Sequence, residues 1–314
     1  MLELYLPLAI PALAGLAARP MAARLEPRSA TWLLTITAVA LAACSSVALV
    51  LLATYAAARV PALGALGDYS ERIVRRADPV SMPAGALAGI ALTAAAVAVG
   101  VLFLRRARAL AASYRRAAGM HGDDGLVVVH GSGIEAYALP GRPGRIVVSG
   151  ELLDFLGSGS RAALIAHEQA HLSGRHHLFV AAAQLAAAAN PMLLPLAHSV
   201  EYTVERWADE HAARITGDRR LVAKTIGQVA LLSSDRPARV PGMSLGIVAS
   251  TAQRVSLAVA GPVPRRVAAM LTTPQRQRVA VLAVCLALVV VAGLAALDAA
   301  GDLRGFIDVA QLGQ

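Results

Sequence analysis

The sequence of 314 residues has few charged residues, few aromatic residues and only two cysteines. Charged residues make up 16% and hydrophobic residues 57%, whereas soluble globular proteins have about 25% charged and about 45–50% apolar residues. The composition therefore excludes an ordinary soluble globule, and it excludes intrinsic disorder, which requires low hydrophobicity. Cys44 and Cys285 both lie in apolar runs, so a disulfide-stabilised scaffold is excluded as well.

The charge that is present is unbalanced, with 29 basic and 20 acidic residues and a net charge of +9. The excess falls between Arg105 and Arg278. These basic residues are not interleaved with aromatic side chains, on which the bases of single-stranded nucleic acids stack. We therefore expect no direct contact with nucleic acid, and we expect this segment to lie against an anionic lipid bilayer.

Long uncharged runs predict several membrane-spanning helices. Residues 30–58, 80–104 and 279–297 carry no charged side chain, and about 20 apolar residues suffice to cross a bilayer as a helix. Residues 4–18 form a shorter run that contains two prolines. We interpret this run as a short first span, because the alternative, a signal peptide, lacks its usual positive N-terminal region.

The positions of the arginines predict the orientation of the chain. Arginines crowd the segment after the third span and the segment before the last one, and cytoplasmic loops carry the positive excess. We therefore expect a multi-pass protein of the plasma (inner) membrane with a cytoplasmic domain at residues 105–275. Residues 1–104 would hold three transmembrane helices with an extracytoplasmic loop at about 59–79, and residues 276–314 the last transmembrane helix and a short tail.

The expected cytoplasmic domain begins with short β-rich runs and continues with helices. Residues 126–130, 134–139 and 145–149 are separated by glycines and prolines, which predicts a small sheet. From residue 158 onward the apolar residues recur with a helical period, and Ser158 or Ser160 is the expected N-cap. The predicted fold is an α-helical multi-pass membrane protein with an α+β domain that combines this sheet with the following helix.

That helix carries the sequence His167-Glu168-Gln169-Ala170-His171. Two histidines four residues apart lie on one helix face, where they can bind one zinc ion, and the intervening glutamate can reach the water that zinc activates. We expect one Zn²⁺ per chain, with His167 and His171 as ligands and Glu168 as the catalytic base. A non-catalytic zinc-binding membrane receptor is an alternative, but a structural site has no use for a base beside its ligand.

A catalytic zinc needs a third protein ligand. Glu205 and Asp209 lie four residues apart on a predicted helix, so we expect Glu205 to bind zinc and Asp209 to hydrogen-bond a ligating imidazole. Glu201, one turn earlier, is the competing third ligand. Three side chains near this segment are candidates for stabilising an oxyanion: Arg206, His211 and Arg214.

Residues 178–200, between the two metal-binding segments, carry no charge. Asn190-Pro191 and Pro195 interrupt the run, which leaves a helix too short to cross a bilayer. We expect a hairpin of two helices, packed on the sheet or dipping into the membrane, that returns Glu205 to the histidines. His176 and His177, at its start, are expected at the membrane interface.

A peptide substrate is expected to bind in an extended conformation. An edge strand that precedes the catalytic helix can pair with it by strand addition, which gives main-chain affinity with little demand on sequence. The expected edge strand consists of Glu135, Ala136, Tyr137 and Ala138.

These features resemble the BlaR/MecR-type integral-membrane zinc metallopeptidases of the gluzincin class. The resemblance rests on residues 167–171, 175–177 and 204–213, and on the order of three spans, zinc domain and last span. It implies a gluzincin-like peptidase domain in which His167, His171 and Glu205 bind zinc and Glu168 is catalytic. It also implies a zinc endopeptidase in signal transduction, whose substrate is a cytoplasmic transcriptional repressor of the BlaI/MecI type.

The Glu-x-x-Ala-Asp pattern at residues 205–209 is equally typical of HtpX-type peptidases. Quality control of membrane proteins is therefore the alternative function. Only residues 298–314 follow the predicted last span, where the BlaR/MecR sensors carry a penicillin-binding domain. We therefore do not expect this chain itself to sense β-lactams.

Overall fold

The computed structural model describes residues 2–57, 81–122, 125–130, 135–234 and 262–272, together with 283, 287, 290–295, 297, 298 and 301. The predicted loop at 59–79 lies outside the described residues, as does most of the predicted last span and tail at 276–314.

The described chain is mostly helical, with a small mixed sheet. Its helices are α1 (Leu2–Arg24), α2 (Pro27–Ala57), α3 (Met82–Gly119), α4 (Gly150–Phe155), α5 (Ser158–Ser173), α6 (His176–Ala189), α7 (Leu194–Thr216), α8 (Arg219–Ser234) and α9 (Pro262–Leu271). Its strands are β1 (Leu126–Val129), β2 (Ala136–Leu139) and β3 (Arg145–Ser149), and a 3₁₀ turn covers Pro191–Leu193.

Three of these helices are long and apolar enough to cross a membrane: α1 over Tyr5–Arg24, α2 and α3. The prolines in α1 do not end it. Pro11 has no N–H to donate to the carbonyl of Pro7, and the hydroxyl of Ser45 on α2 lies 3.0 Å from that carbonyl oxygen instead. These three helices support the predicted association with a membrane.

The small sheet has the strand order β1-β3-β2, with β1 parallel and β2 antiparallel to β3. Its strands are those predicted, with bounds that differ by up to two residues. Ile146 and Val148 of β3 are buried with Leu152 of α4 and Leu164 of α5, and this apolar cluster fixes α5 on the sheet. Within the described residues, β2 lies at the edge of the sheet.

The start of α5 differs from the prediction. Gly157 occupies the N-cap position and offers no side-chain hydrogen bond, so neither Ser158 nor Ser160 caps the helix. The hydroxyl of Ser160 lies 3.3 Å from Oε1 of Gln228 on α8 instead. The expected cap was wrong because this hydroxyl is used for contact between two helices.

Helices α6 and α7 form the predicted hairpin. Asn190 and Pro191 end α6 and begin the 3₁₀ turn, and Gly217, with a φ of 70°, ends α7. The hairpin does not pack on the sheet, however. Leu193 and Leu196 are buried in one cluster with Ile10 of α1 and Leu34 of α2, and Ala292 from the predicted last span belongs to the same cluster.

Helices α2 and α3 approach each other closely at Gly85. A Cβ at this position would lie 2.2 Å from the Cβ of Ala56 and 2.9 Å from the carbonyl oxygen of Leu52. Small residues allow such close backbone contacts between membrane helices.

We expect Gly85→Val to separate α2 from α3 and to destabilise the protein by about 1–3 kcal/mol, the usual cost of overpacking. Gly100→Val is the matched control, because a Cβ at Gly100 meets no atom of the described residues within 4 Å. Thermal unfolding of both variants in detergent measures the difference. Equal melting temperatures for the two variants would show that the contact at Gly85 does not hold the helices together.

Candidate metal centre

Three side chains that can each offer a metal ligand converge between α5 and α7. The Nε2 atoms of His167 and His171 lie 3.2 Å apart on one face of α5. Glu205 of α7 places Oε2 3.6 Å from Nε2 of His167 and Oε1 3.6 Å from Nε2 of His171. The structure thus brings together the three residues that the sequence analysis selected as zinc ligands.

These separations fit a tetrahedral metal ion. Zinc binds imidazole nitrogen and carboxylate oxygen at about 2.0–2.1 Å, so two ligand atoms of a tetrahedral site lie about 3.4 Å apart. The observed separations of 3.2 Å and 3.6 Å lie on either side of that value. A metal centred among these atoms would have three protein ligands and one open position, as catalytic zinc sites do.

Glu201, the competing third ligand, does not belong to this group. Its Oε1 accepts a hydrogen bond from Nε2 of Gln184 on α6, at 2.7 Å. Gln184 in turn accepts a hydrogen bond from Arg106 of α3. Glu201 therefore connects the hairpin to the third apolar helix.

Asp209 lies beside the first histidine. Its side chain is completely buried, and its Oδ1 lies 3.0 Å from Nδ1 of His167. A carboxylate in this position fixes the tautomer of the imidazole, so that Nε2 keeps a free lone pair on the side of the metal. This contact is the one that the spacing of Glu205 and Asp209 predicted.

Arg266 of α9 binds both carboxylates. Its Nε and Nη2 donate to the two oxygens of Asp209 at 2.8 and 2.7 Å, and its Nη1 lies 2.9 Å from Oε2 of Glu205. In the sequence, this arginine belongs only to the basic excess that predicts the orientation of the chain in the membrane. Two acidic residues on one helix face indicate that a basic partner is needed, but they do not select one of 29 basic residues.

The pKa values follow from this arrangement. Burial opposes the charged forms of Glu205 and Asp209, but the positive charge of Arg266 keeps the pKa of both carboxyls below its usual range. Burial would also lower the pKa of His167, yet its hydrogen bonds to Asp209 and Glu205 raise that pKa to about 10. In the metal-free protein, Arg266 and a protonated His167 therefore balance the two carboxylates. A metal ion bound at Nε2 of His167 would replace the positive charge of that proton.

His176 lies beside the second histidine, at the start of α6. Its Nδ1 is 3.1 Å from Nδ1 of His171, and its ring packs on Trp207 with the centroids 4.5 Å apart. Only 1% of the residue is exposed, and burial lowers its pKa to about 3. His176 is therefore buried inside the protein, where its neutral ring can accept a hydrogen bond from His171.

Glu168 is buried between α5 and the edge strand β2. Its carboxylate accepts a hydrogen bond from the backbone N–H of Ala138, and burial raises its pKa to about 7. Its Oε2 has no hydrogen-bond partner in the part of the chain that the structure describes. One carboxylate oxygen thus remains available for a small polar ligand.

The three candidates for an oxyanion stabiliser lie in different surroundings. Arg206 is buried against α1, and its Nη1 donates to the carbonyl oxygen of Ala22 at 3.0 Å. Arg214 is exposed and lies 3.4 Å from the carbonyl oxygen of Glu210. His211 is partly buried, and burial together with Arg214 lowers its pKa. The guanidinium of Arg206 thus already has a hydrogen-bond partner on α1.

We expect Arg266→Leu to destabilise the metal-free protein by about 3–5 kcal/mol, because it leaves the buried carboxylates of Asp209 and Glu205 with one positive partner, His167, in place of two. Arg265→Leu is the matched control, since within the described part of the chain Arg265 lies over the ring of Tyr202, at 4.2 Å, a contact worth about 0.5–1 kcal/mol. Thermal unfolding with a chelator present compares the two variants. Equal losses of stability in the two variants would show that the ion pairs of Arg266 stabilise the protein no more than the ring contact of Arg265 does.

Residues 103–187 match the family model of Peptidase family M48. The match extends from α3 to α6 and contains His167, Glu168 and His171, but it ends before Glu205. No curated protein and no solved structure matched the chain. The match supports a zinc metallopeptidase family for this chain, and it therefore indicates a hydrolase that acts on a protein substrate.

Proposed function

We propose that this chain is a membrane-embedded, zinc-dependent endopeptidase that binds one Zn²⁺ through His167, His171 and Glu205. The observation that carries the proposal is the convergence of two imidazole nitrogens, 3.2 Å apart, and a carboxylate that places one oxygen 3.6 Å from each of them, beside a buried glutamate. The family match supports the peptidase chemistry, and three long apolar helices support the membrane location.

Zinc at this position would polarise the scissile carbonyl and lower the pKa of a water molecule toward about 7. Glu168 takes the proton from the attacking water through its free Oε2 and delivers it to the leaving amine. Asp209 and His176 keep the two imidazoles in orientation. Arg266 holds the carboxylate of Glu205 in place.

The edge strand β2 supports the proposed binding of an extended substrate. Glu135, which precedes β2, exchanges hydrogen bonds with Ser149, the last residue of β3, so Ala136 and Ala138 point their backbone groups away from β3. The N–H of Ala138 binds Glu168. As far as the described residues go, the backbone groups of Ala136 and the carbonyl of Ala138 then remain for a substrate strand that lies beside Tyr137 and above the metal centre.

For the biological role, we propose signal transduction through cleavage of a cytoplasmic repressor of the BlaI/MecI type. This proposal rests on the resemblance of residues 167–171, 175–177 and 204–213, and on the arginines that favour a cytoplasmic zinc domain at the plasma membrane. Quality control of membrane proteins, as in the HtpX type, is the second candidate, because residues 205–209 carry the pattern of that group as well. A non-catalytic receptor would not need the free oxygen of Glu168.

Purified protein should contain about one zinc per chain, and His167→Ala and Glu205→Gln should each lose it, because the remaining two ligands bind zinc weakly. Glu201→Gln is the matched control, since Glu201 binds Gln184 and not the metal group. Metal analysis after gel filtration gives the ratio. Retention of zinc by Glu205→Gln together with its loss from Glu201→Gln would reverse the assignment of the third ligand.

Glu168→Gln should retain zinc and lose proteolysis by about 10²–10⁴-fold, the usual contribution of a general base. The amide keeps the size of the side chain but takes no proton from water. Cleavage of a casein-type substrate and the zinc content are measured on the same sample. Unchanged cleavage would contradict the role of Glu168.

Co-expression separates the two candidate roles. The wild-type chain, and not Glu168→Gln, should produce a single internal cut in a co-expressed BlaI/MecI-type repressor, detected by mass spectrometry of the fragments. An intact repressor alongside fragments of misfolded membrane proteins would favour quality control instead.

A further inference from the structure

The hairpin formed by α6, the 3₁₀ turn and α7 reaches deep along the apolar helices. The side-chain amide of Asn190, at the tip, donates to the hydroxyl of Ser45 at 3.0 Å. Ser45 lies near the middle of the uncharged part of α2, residues 30–57. The tip also approaches α1 closely, because a Cβ placed on Gly15 of α1 would lie 3.1 Å from the carbonyl oxygen of Met192. The tip is therefore far from the charged end of α2, because Ser45 lies 17 residues, or about 25 Å, beyond Arg28.

The base of the hairpin lies at the charged end of α2. The guanidinium of Arg28 lies 5.6 Å from the ring of Trp207, and the hydroxyls of Thr31 and Thr203 are 3.0 Å apart. Glu205 lies between these two contacts along α7. The metal centre is thus at the level where the charged end of α2 gives way to its apolar part.

The lengths of the two arms agree with a turn inside the bilayer. Helix α6 has 14 residues, which gives about 21 Å, and the distance along α7 from Leu194 to Glu205 is about 16 Å. Half of the hydrocarbon core measures about 15 Å and the whole about 30 Å. Either arm can reach the middle of a bilayer, and neither can cross it.

The backbone at the tip meets the requirement that hydrocarbon imposes on a non-helical segment. Polar backbone groups inside a bilayer need partners within the protein. Oδ1 of Asn190 accepts a hydrogen bond from the N–H of Met192 at 3.0 Å, and the N–H of Leu193 donates to the carbonyl of Asn190 at 2.9 Å. The hydroxyl of Ser45 lies between the Asn190 amide and the carbonyl of Pro7.

The outer surface of the hairpin is apolar and continues that of the neighbouring helices. Leu178, Met192 and Leu194 are each about half exposed, at 48%, 52% and 47%. Trp32 and Ile36 of α2 are exposed to a similar extent, at 50% and 55%. Gln184, a polar side chain of α6, is bonded to Arg106 and Glu201. This continuity with the exposed surface of a membrane-spanning helix identifies lipid acyl chains as the partner.

We propose that residues 176–200 form a re-entrant hairpin, which enters the bilayer from the side of the metal centre, turns back near its middle and contacts acyl chains through Leu178, Met192 and Leu194. The hairpin connects the helix of His167 and His171 to the helix of Glu205. Lipid contact on this hairpin therefore holds the metal centre at the membrane surface. The proposal does not depend on the peptidase activity.

Single cysteines test the proposal in a background of Cys44→Ala and Cys285→Ala. Met192→Cys and Leu194→Cys report on the tip, and Asp154→Cys, on an exposed position of α4, reports on the side of the metal centre. A membrane-impermeant maleimide is applied to sealed vesicles from each side in turn. We expect modification of Asp154→Cys from one side, and modification of both tip variants only after detergent is added.

Modification of the tip variants from the same side as Asp154→Cys would overturn the proposal, because the hairpin would then lie in water. Modification from the opposite side would overturn it as well, since the hairpin would then cross the bilayer. The unmodified protein gives a second measurement that does not depend on folding of the variants. A lipid with a diazirine at the end of its acyl chain should label peptides that contain Met192 and Leu194. Labelling of α2 without labelling of these peptides would contradict the proposal.

Discussion

The structure depends on the contact between α5 and α7, which places the carboxylate of Glu205 3.6 Å from each of two imidazoles. The two histidines are brought together by the helix itself, because residues four apart share a face. The third ligand comes from a separate helix that is reached only through the hairpin. Every part of the fold that positions α7 against α5 therefore contributes to the metal centre, including the apolar helices α1 and α2 that pack against the hairpin.

Electrostatics explain why this contact is stable and why it favours a cation. Burial alone would protonate Glu205 and Asp209, and the guanidinium of Arg266 prevents this by binding both carboxylates. The raised pKa of His167 adds a second positive charge that balances the carboxylates in the metal-free protein, and a metal ion at the two Nε2 atoms would take the place of its proton. The same arrangement separates the roles of the carboxylates, since Asp209 contacts Nδ1 of His167 while Glu205 faces its Nε2.

The sequence predicts the parts of this site that depend on local spacing, namely the histidine pair, Glu168 and the four-residue interval between Glu205 and Asp209. It also predicts the small sheet and the hairpin, since glycine and proline mark their turns. It does not predict Arg266 or the burial of His176, because both depend on which helices meet in three dimensions. It likewise does not reveal that the hairpin packs on α1 and α2, since an uncharged run is equally compatible with a protein core and with lipid. The N-cap of α5 was predicted wrongly for a related reason, as the hydroxyl of Ser160 serves a tertiary contact.

The membrane and the metal centre are thus linked through one short segment, residues 176–200, whose tip lies among apolar helices and whose two ends carry the site. X-ray absorption spectroscopy at the zinc K edge on the purified protein tests the central claim most directly. The account predicts a first shell of nitrogen and oxygen only, at about 2.0–2.1 Å, with outer-shell scattering from two imidazole rings. Sulfur at about 2.3 Å, or a shell without imidazole scattering, would contradict it.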